Sequence, residues 1–440
     1  MSSASPSPGL RQYAGTVSWL LVERVVKIVL GLTIGVAVTR YLGPRDFGYL
    51  SAALGVAAIA TPFATLGFNS YLIREFSRPG DHARGLLGSA IVATLVASTT
   101  IYISIWLASW TMPLSDTLAV LLPVVGLAVI PAGWFVFSAF FQAVVDGRSV
   151  ALPRLTGYVV GAAAKIAMVF AGAPLIWFAW AIVAESVVIS AAYWLHYARS
   201  GRGNPLAGAR LAKTRQIARA GIPFALMIAA EAAHLKVDIV MLQLLTTATE
   251  TGQYAAASLI SEAWYFVPGV IASTALPAIV STRAEAGQQR TQLYFDLMTV
   301  FAVTTTIALA FVGPPLVLLL FGRAYAPAAE IFAIHVWSGI LVTATVASQF
   351  WGVAEGLERR MMSYTLAAVA SNVALNALLI PAFGGQGAAV STLASYAVSG
   401  YLALALRADT RACLRMHARA LLLHRAVQRL VAAARQQRSA

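Results

Sequence analysis

A chain that repeats apolar runs of about twenty residues is built for a bilayer, where a helix satisfies all its own backbone hydrogen bonds. Twelve such runs follow one another here: 15–38, 48–71, 85–110, 117–142, 155–173, 176–198, 220–244, 252–279, 294–320, 329–354, 362–381 and 386–406. The windows at 155–173 and 176–198 nearly touch, and Gly172 with Pro174 supplies the stop and reversal between them. Charged residues make up only 11% of the 440 positions, against roughly 25% in a soluble domain. The expectation is an all-α integral membrane protein.

The distribution of basic residues orients it. With the N-terminus in the cytoplasm, 24 of the 31 Lys and Arg fall on inner segments, and only Arg40, Arg45 and Arg323 on outer loops. Twelve spans then place both termini inside. The formal net charge of +14 is scattered over short connectors, which speaks for membrane topology and against nucleic acid. The first apolar run is too long for a signal-peptide core and carries Glu23, Arg24 and Lys27, so it reads as a retained span. Cys413, alone in the sequence, rules out an internal disulfide.

The predicted outer loops are short and leave no room for an extracytoplasmic catalytic domain. The longest inner connector, 199–219, is basic and Gly-rich and falls at the midpoint of the spans. The organisation expected is a cytoplasmic N-terminus (1–14), a six-helix bundle (15–198), a basic linker (199–219), a second six-helix bundle (220–406) and a basic tail (407–440). Laying Gly48 on Gly252 matches "RDFGYLSAAL" with "TETGQYAAAS". Parallel repeats of this kind place a substrate path between the halves near mid-membrane.

Six blocks in order, "RYLGPRDFGYLSAA", "LGFNSYLIRE", "GIPFALM", "GQYAAASLISE", "LLFGRAYAPAA" and "NVALNALLIPAFGGQGAAVST", give a chain that resembles the polysaccharide-transport flippases. These belong to the multidrug/oligosaccharidyl-lipid/polysaccharide exporter superfamily, and their O-antigen members are called Wzx. The resemblance runs from about residue 11 to 406. It implies twelve helices in two bundles of six related by pseudo-two-fold symmetry. It further implies movement of undecaprenyl-diphosphate-linked oligosaccharide between leaflets of the bacterial cytoplasmic membrane for surface polysaccharide synthesis.

Embedded charges carry the mechanism, since a Lys or Arg at the bilayer centre costs roughly 2.5–3.5 kcal/mol and needs a cavity or a partner. Arg24 and Lys27 share a face of the first span, and Glu23 can pair with Lys27 one turn on. A lipid diphosphate is the matching ligand, because Arg presents a fork to phosphate oxygens and Lys adds a point charge. Lys165 either joins this basic lining or snorkels to the cytoplasmic surface. In the seventh span Glu231, His234 and Asp238 fall on one stripe at i, i+3 and i+7, with Lys236 pointing elsewhere. With Glu262 in the eighth span, Glu231 and Asp238 are the candidates for proton or sodium coupling. The alternative is that Glu231 or Asp238 pairs with Lys236 or His234 within the bundle. His335 reads as a satisfied core histidine, and Asn69, Gln142, Gln349, Asn372 and Asn376 as helix cross-links rather than sugar ligands.

The tail "TRACLRMHARALLLHRAVQRLVAAARQQRSA" reads as a cationic amphipathic helix on the anionic inner leaflet. Polysaccharide polymerase and other assembly proteins are the expected protein partners. Neither a metal nor an organic cofactor is expected. A drug/cation antiporter would want a more acidic binding lobe than one holding Arg24 and Lys27. A peptidoglycan lipid II flippase usually has fourteen spans. A membrane-embedded glycan enzyme is disfavoured by the short outer loops and by the lack of any nucleotide or metal motif.

Overall fold

The computed structural model describes residues 10–78, 82–280 and 285–439, so positions 1–9 of the predicted N-terminal segment and Arg283 lie outside the described residues. The fold is all-α, with no strand among the described residues. The expected windows fall mainly on helix, with turns interrupting 48–71, 117–142, 252–279 and 329–354. By length and apolarity six helical stretches among the described residues qualify as membrane spans, or seven if the pair Arg323–His335 and Ser338–Ala354, bent by 45°, counts as one. Two long helices are broken by glycines in the left-handed region. Leu10–Ala64 breaks at Gly43 (φ 70°), just before Pro44, and Glu358–Ala397 breaks at Gly384 (φ 54°).

The chain divides into two compact units. The first comprises residues 1–42 and 49–236, and the second 43–48 and 237–440. The division falls inside the helix Leu211–Leu245 rather than in the segment 199–219. That segment is packed within the first unit. A side chain at Gly85 or Gly88 would meet the carbonyls of Gly208, Leu206 and Pro205, Ser89 accepts a hydrogen bond from the Arg210 amide at 3.1 Å, and Arg202 lies 5.0 Å over the Phe140 ring. Of its glycines, Gly208 serves this close backbone approach to Gly85, while Gly201 and Gly203 have open space around them.

In the first unit the opening helix lies alongside Gly147–Phe170 in a constant register. Thr16 hydrogen-bonds the Val145 carbonyl and the Gly147 amide, Glu23 faces Arg154, and Lys27 lies over Tyr158, so that Gly147, Arg154 and Tyr158 each lie 131 positions after their partner. Tyr41 ends the run by donating to the Ala173 carbonyl at 2.9 Å. From Thr16 to Tyr41 such a helix rises about 37 Å at 1.5 Å per residue, enough to cross a bilayer. The next helix, Leu175–Arg199, packs closely on Gly147–Phe170, because Gly157 leaves room for Ile189 and Gly161 for the Glu185 carboxylate. This is small-xxx-small packing, in which dispersion between closely approaching helices replaces the hydrophobic drive absent in lipid. Phe68, Phe76, Phe137, Phe140, Phe141, Tyr193 and Tyr197 pack into an aromatic core.

In the second unit Gly48 and Gly252, the two glycines matched in the sequence repeat, make a reciprocal contact. A methyl group on Gly48 would collide with the Ala248 carbonyl, and one on Gly252 with the Pro44 carbonyl, each four residues before the other glycine. The helix Ala248–Ser261 then organises its neighbours. Glu250 accepts from the Gly385 amide at 2.7 Å and so caps the segment after the Gly384 break, while Gln253 bonds Ala324 and Ala328 around the start of the helix Ala326–His335. The break folds the long helix on itself, Gly387 lying against the Leu379 carbonyl.

The tail departs from the single helix expected of it. It forms two, Arg411–Ala420 and Leu423–Ser439, and part of its surface is covered by protein. Cys413, His417 and Ala420 are buried, the His417 ring lies 4.6 Å from Phe295, and Arg429 makes a two-pronged bond to the fully buried Asp296 at 2.6 and 2.7 Å. Burial pushes the Cys413 thiol up to about 12 and holds the His417 imidazole down at about 3.

Candidate functional site

Chemistry-bearing side chains gather at one place in each unit. In the first, Glu23 is buried, whereas Arg24 and Lys27 on the same helix stay exposed. The Glu23 carboxylate lies 3.7 Å from Arg154, which also donates to Ser138 Oγ at 3.0 Å. The Glu23–Lys27 pairing open in the sequence gives way to a Glu23–Arg154 bridge between helices. Arg154 falls just before the apolar window 155–173, but its helix begins at Gly147 and places it two turns inside. Lys165 is held by an acid of the neighbouring helix. Its ammonium is 2.7 Å from Glu185, eighteen residues past the start of its helix.

Four bases, Arg24, Lys27, Arg154 and Lys165, thus stand near the two acids Glu23 and Glu185. The acids are engaged by Arg154 and Lys165. On the opening helix Lys27 Nζ sits 5.7 Å over the Tyr158 ring in a cation–π arrangement.

In the second unit the centre is Asp238, 1% exposed. It accepts from Tyr254 at 2.8 Å, Thr392 at 2.6 Å and the Asn376 amide at 2.5 Å, and among the described residues it has no ion-pair partner. Asn376 also donates to Asn372 Oδ1 at 3.2 Å, which leaves Asn376 Oδ1 and Asn372 Nδ2 buried without a hydrogen-bond partner. The Gly384 break explains the assembly. Asn376 lies eight residues before it and Thr392 eight after, so folding the helix back brings both to Asp238. His335 is buried, bonds Ser261 at 2.7 Å and meets the Tyr254 ring edge-on at 5.6 Å, so it is a core histidine beside the Asp238 cluster.

The seventh-span stripe divides. His234 and Asp238 are buried, but Glu231 is exposed and belongs to the first unit, whereas Asp238 belongs to the second. Glu262 caps the end of Ala248–Ser261 next to Ser261. Sequence reasoning missed Arg154, Tyr254 and Thr392 and passed over Asn372 and Asn376 as cross-links. The available signal was the pair of asparagines four apart, upstream of the Gly384-Gly385 step. No group of three or more His, Cys, Asp or Glu fit to hold a metal occurs among the described residues.

Residues 14–283 match the family model described as polysaccharide biosynthesis protein. No curated protein matches the chain. Among solved structures, an inward-facing multidrug resistance MATE transporter of the MOP superfamily is similar at 13% identity and TM-score 0.65, covering 93% of this chain and 99% of the other. The lipid II flippase MurJ in an inward closed conformation is similar at 12% identity and TM-score 0.66, covering 91% and 90%. A MOP superfamily transporter from Pyrococcus furiosus, whose binding pocket is described as reversed in polarity, is similar at 14% identity and TM-score 0.56, covering 96% and 100%. The chain belongs to the polysaccharide biosynthesis protein family, within the multidrug/oligosaccharidyl-lipid/polysaccharide exporter superfamily of multi-pass membrane flippases and transporters.

Proposed function

We propose that this protein flips undecaprenyl-diphosphate-linked oligosaccharide across the bacterial cytoplasmic membrane by cation-coupled alternating access, with both termini in the cytoplasm. The observation that carries this reading is the pair of exposed bases, Arg24 and Lys27, three residues apart on a helix whose buried Glu23 is bridged to Arg154. A diphosphate matches two such bases in charge and geometry, while its lipid tail stays in the bilayer and the glycan follows a hydrated path. Neutral sugars and cationic drugs offer no such compensation. Lys165, neutralised by Glu185, has the weaker claim on the phosphates. The chemistry is transport without covalent catalysis.

Coupling is assigned to Asp238, with Glu262 and Glu231 as secondary candidates. A buried carboxylate with neutral donors either takes a proton or holds a small cation. The cluster fits sodium through its orphaned atom. Turning the Asn376 amide by half a turn points Oδ1 at Asp238 and Asn372 Oδ1, giving a set of oxygens that needs a cation among them. Purified protein in vesicles, supplied with the lipid-linked oligosaccharide under imposed sodium or proton gradients, tests the reading. Gradient-dependent flipping supports it. Export of cationic drugs without flipping refutes it.

A further inference from the structure

We propose that the C-terminal helix Leu423–Ser439 is a membrane-surface anchor that docks on anionic lipid through an apolar stripe left uncovered by the protein. Three faces can be read from its contacts. Ala426, Arg429, Leu430 and Ala433 recur at i, i+3, i+4 and i+7. They are the buried or half-buried positions, turned inward by the Arg429–Asp296 bond. Leu423, Val427 and Val431 recur at i, i+4 and i+8 and are 37%, 44% and 45% exposed, and the preceding turn adds Leu421 and Leu422. His424, Gln428, Ala432 and Arg435 form a third, exposed face. A helix lying at an interface needs an apolar face next to the one held by its own protein and a polar face toward water.

Position and charge choose the occupant. The last apolar helix ends at Ala405, and only a short turn precedes Arg411. That turn is held back, since Thr410 bonds the Leu404 carbonyl at 2.9 Å and Arg411 the Ala405 carbonyl at 3.1 Å. The helical pair therefore stays at the end of a spanning helix, where lipid headgroups lie. After Asp409 the chain contains no acidic residue, while Arg415, Arg419, Arg425 and Arg435 are exposed. A bilayer surface rich in anionic lipid complements both the stripe and the charge.

The test places single nitroxide labels at Val427, Val431, Gln428 and Ala432 in a Cys413→Ala chain reconstituted in nanodiscs, containing either phosphatidylglycerol with phosphatidylcholine or phosphatidylcholine alone. In the anionic discs, labels at 427 and 431 are expected to collide with oxygen and to be shielded from a water-soluble nickel chelate. Labels at 428 and 432 should show the reverse, and the contrast should fall at least threefold in the neutral discs. Chelate access at 427 and 431 equal to that at 428 would overturn the proposal. So would labels there that neither reagent reaches, because a protein partner or second copy would then cover the stripe. Should the labelled chains fail to assemble, hydrogen exchange on the unaltered protein decides. Amides 423–435 are expected to exchange more slowly in anionic than in neutral discs, and identical protection would contradict the anchor.

Discussion

Glu23 is bridged to Arg154 on the neighbouring helix at 3.7 Å, while Lys27, one turn along Glu23's own helix, lies over the Tyr158 ring. An acid buried among helices is thus satisfied from outside its own helix, which leaves Arg24 and Lys27 accessible on the surface.

Removing Arg154 strands that acid. Arg154→Ala should destabilise the protein by about 3 kcal/mol, at the low end for a buried pair because the guanidinium is partly exposed. The double variant Glu23→Gln, Arg154→Gln should recover most of the loss. Thermal unfolding in detergent reads both, and equal melting of the Arg154→Ala and unaltered proteins would show the bridge to be idle.

Asp238→Asn removes the only formal charge of the Asp238, Tyr254, Asn376 and Thr392 cluster. Flipping by this variant is expected to drop at least tenfold and to lose its response to imposed sodium and proton gradients. Tyr254→Phe, which deletes one donor, should weaken the response without abolishing it. An unchanged gradient response in Asp238→Asn would move coupling to Glu262 or Glu231.

Much of this was legible in the sequence. Apolar length marked the helical stretches, and Gly172 with Pro174 marked the reversal between Gly147–Phe170 and Leu175–Arg199. Acids and bases inside apolar runs marked Arg24, Lys27 and Asp238. Other features depend on what lies across from a residue. Arg154 looked like a connector base because its helix begins well before apolarity begins, at the Asp146 cap that accepts from Ser149. Thr392 and Tyr254 became visible as partners of Asp238 only after the Gly384 break had folded one helix back on itself. The tail's amphipathic pattern was plain, but the pattern alone could not tell a protein-facing arginine, Arg429, from its exposed neighbours.

The Gly48–Gly252 contact yields a steric prediction. Each would-be side chain meets a backbone carbonyl, which cannot swing aside as a flexible side chain can. Gly48→Ala and Gly252→Ala should each cost about 1–3 kcal/mol, as overpacking does. Gly269→Ala, with open space around it, should be near neutral. Melting temperatures of the three variants compare these directly, and equal stability across them would contradict the close contact.

His417 gives the tail a pH dependence. It is buried against Ser348 and Phe295, and burial lowers its proton affinity from the ordinary 6.5 to about 3. The undocked form takes up a proton below about 6.5 that the docked form refuses, so docking is at full strength above that pH and weakens as pH falls toward 3. Amides 411–420 should exchange faster at pH 5 than at pH 7.5 after correction for intrinsic rates, and His417→Gln should flatten the difference. Equal corrected rates at the two pH values would show that His417 does not govern docking.

The central claim is that Arg24 and Lys27 engage the diphosphate of the lipid carrier. The most direct measurement is the flipping rate of undecaprenyl-diphosphate-linked oligosaccharide in proteoliposomes holding equal amounts of folded unaltered protein or Arg24→Ala, Lys27→Ala double variant. The account predicts a rate at least tenfold lower for the double variant. It also predicts partial recovery in Arg24→Lys, Lys27, where charge returns without the guanidinium fork. A double variant that flips the lipid as fast as the unaltered protein would contradict it.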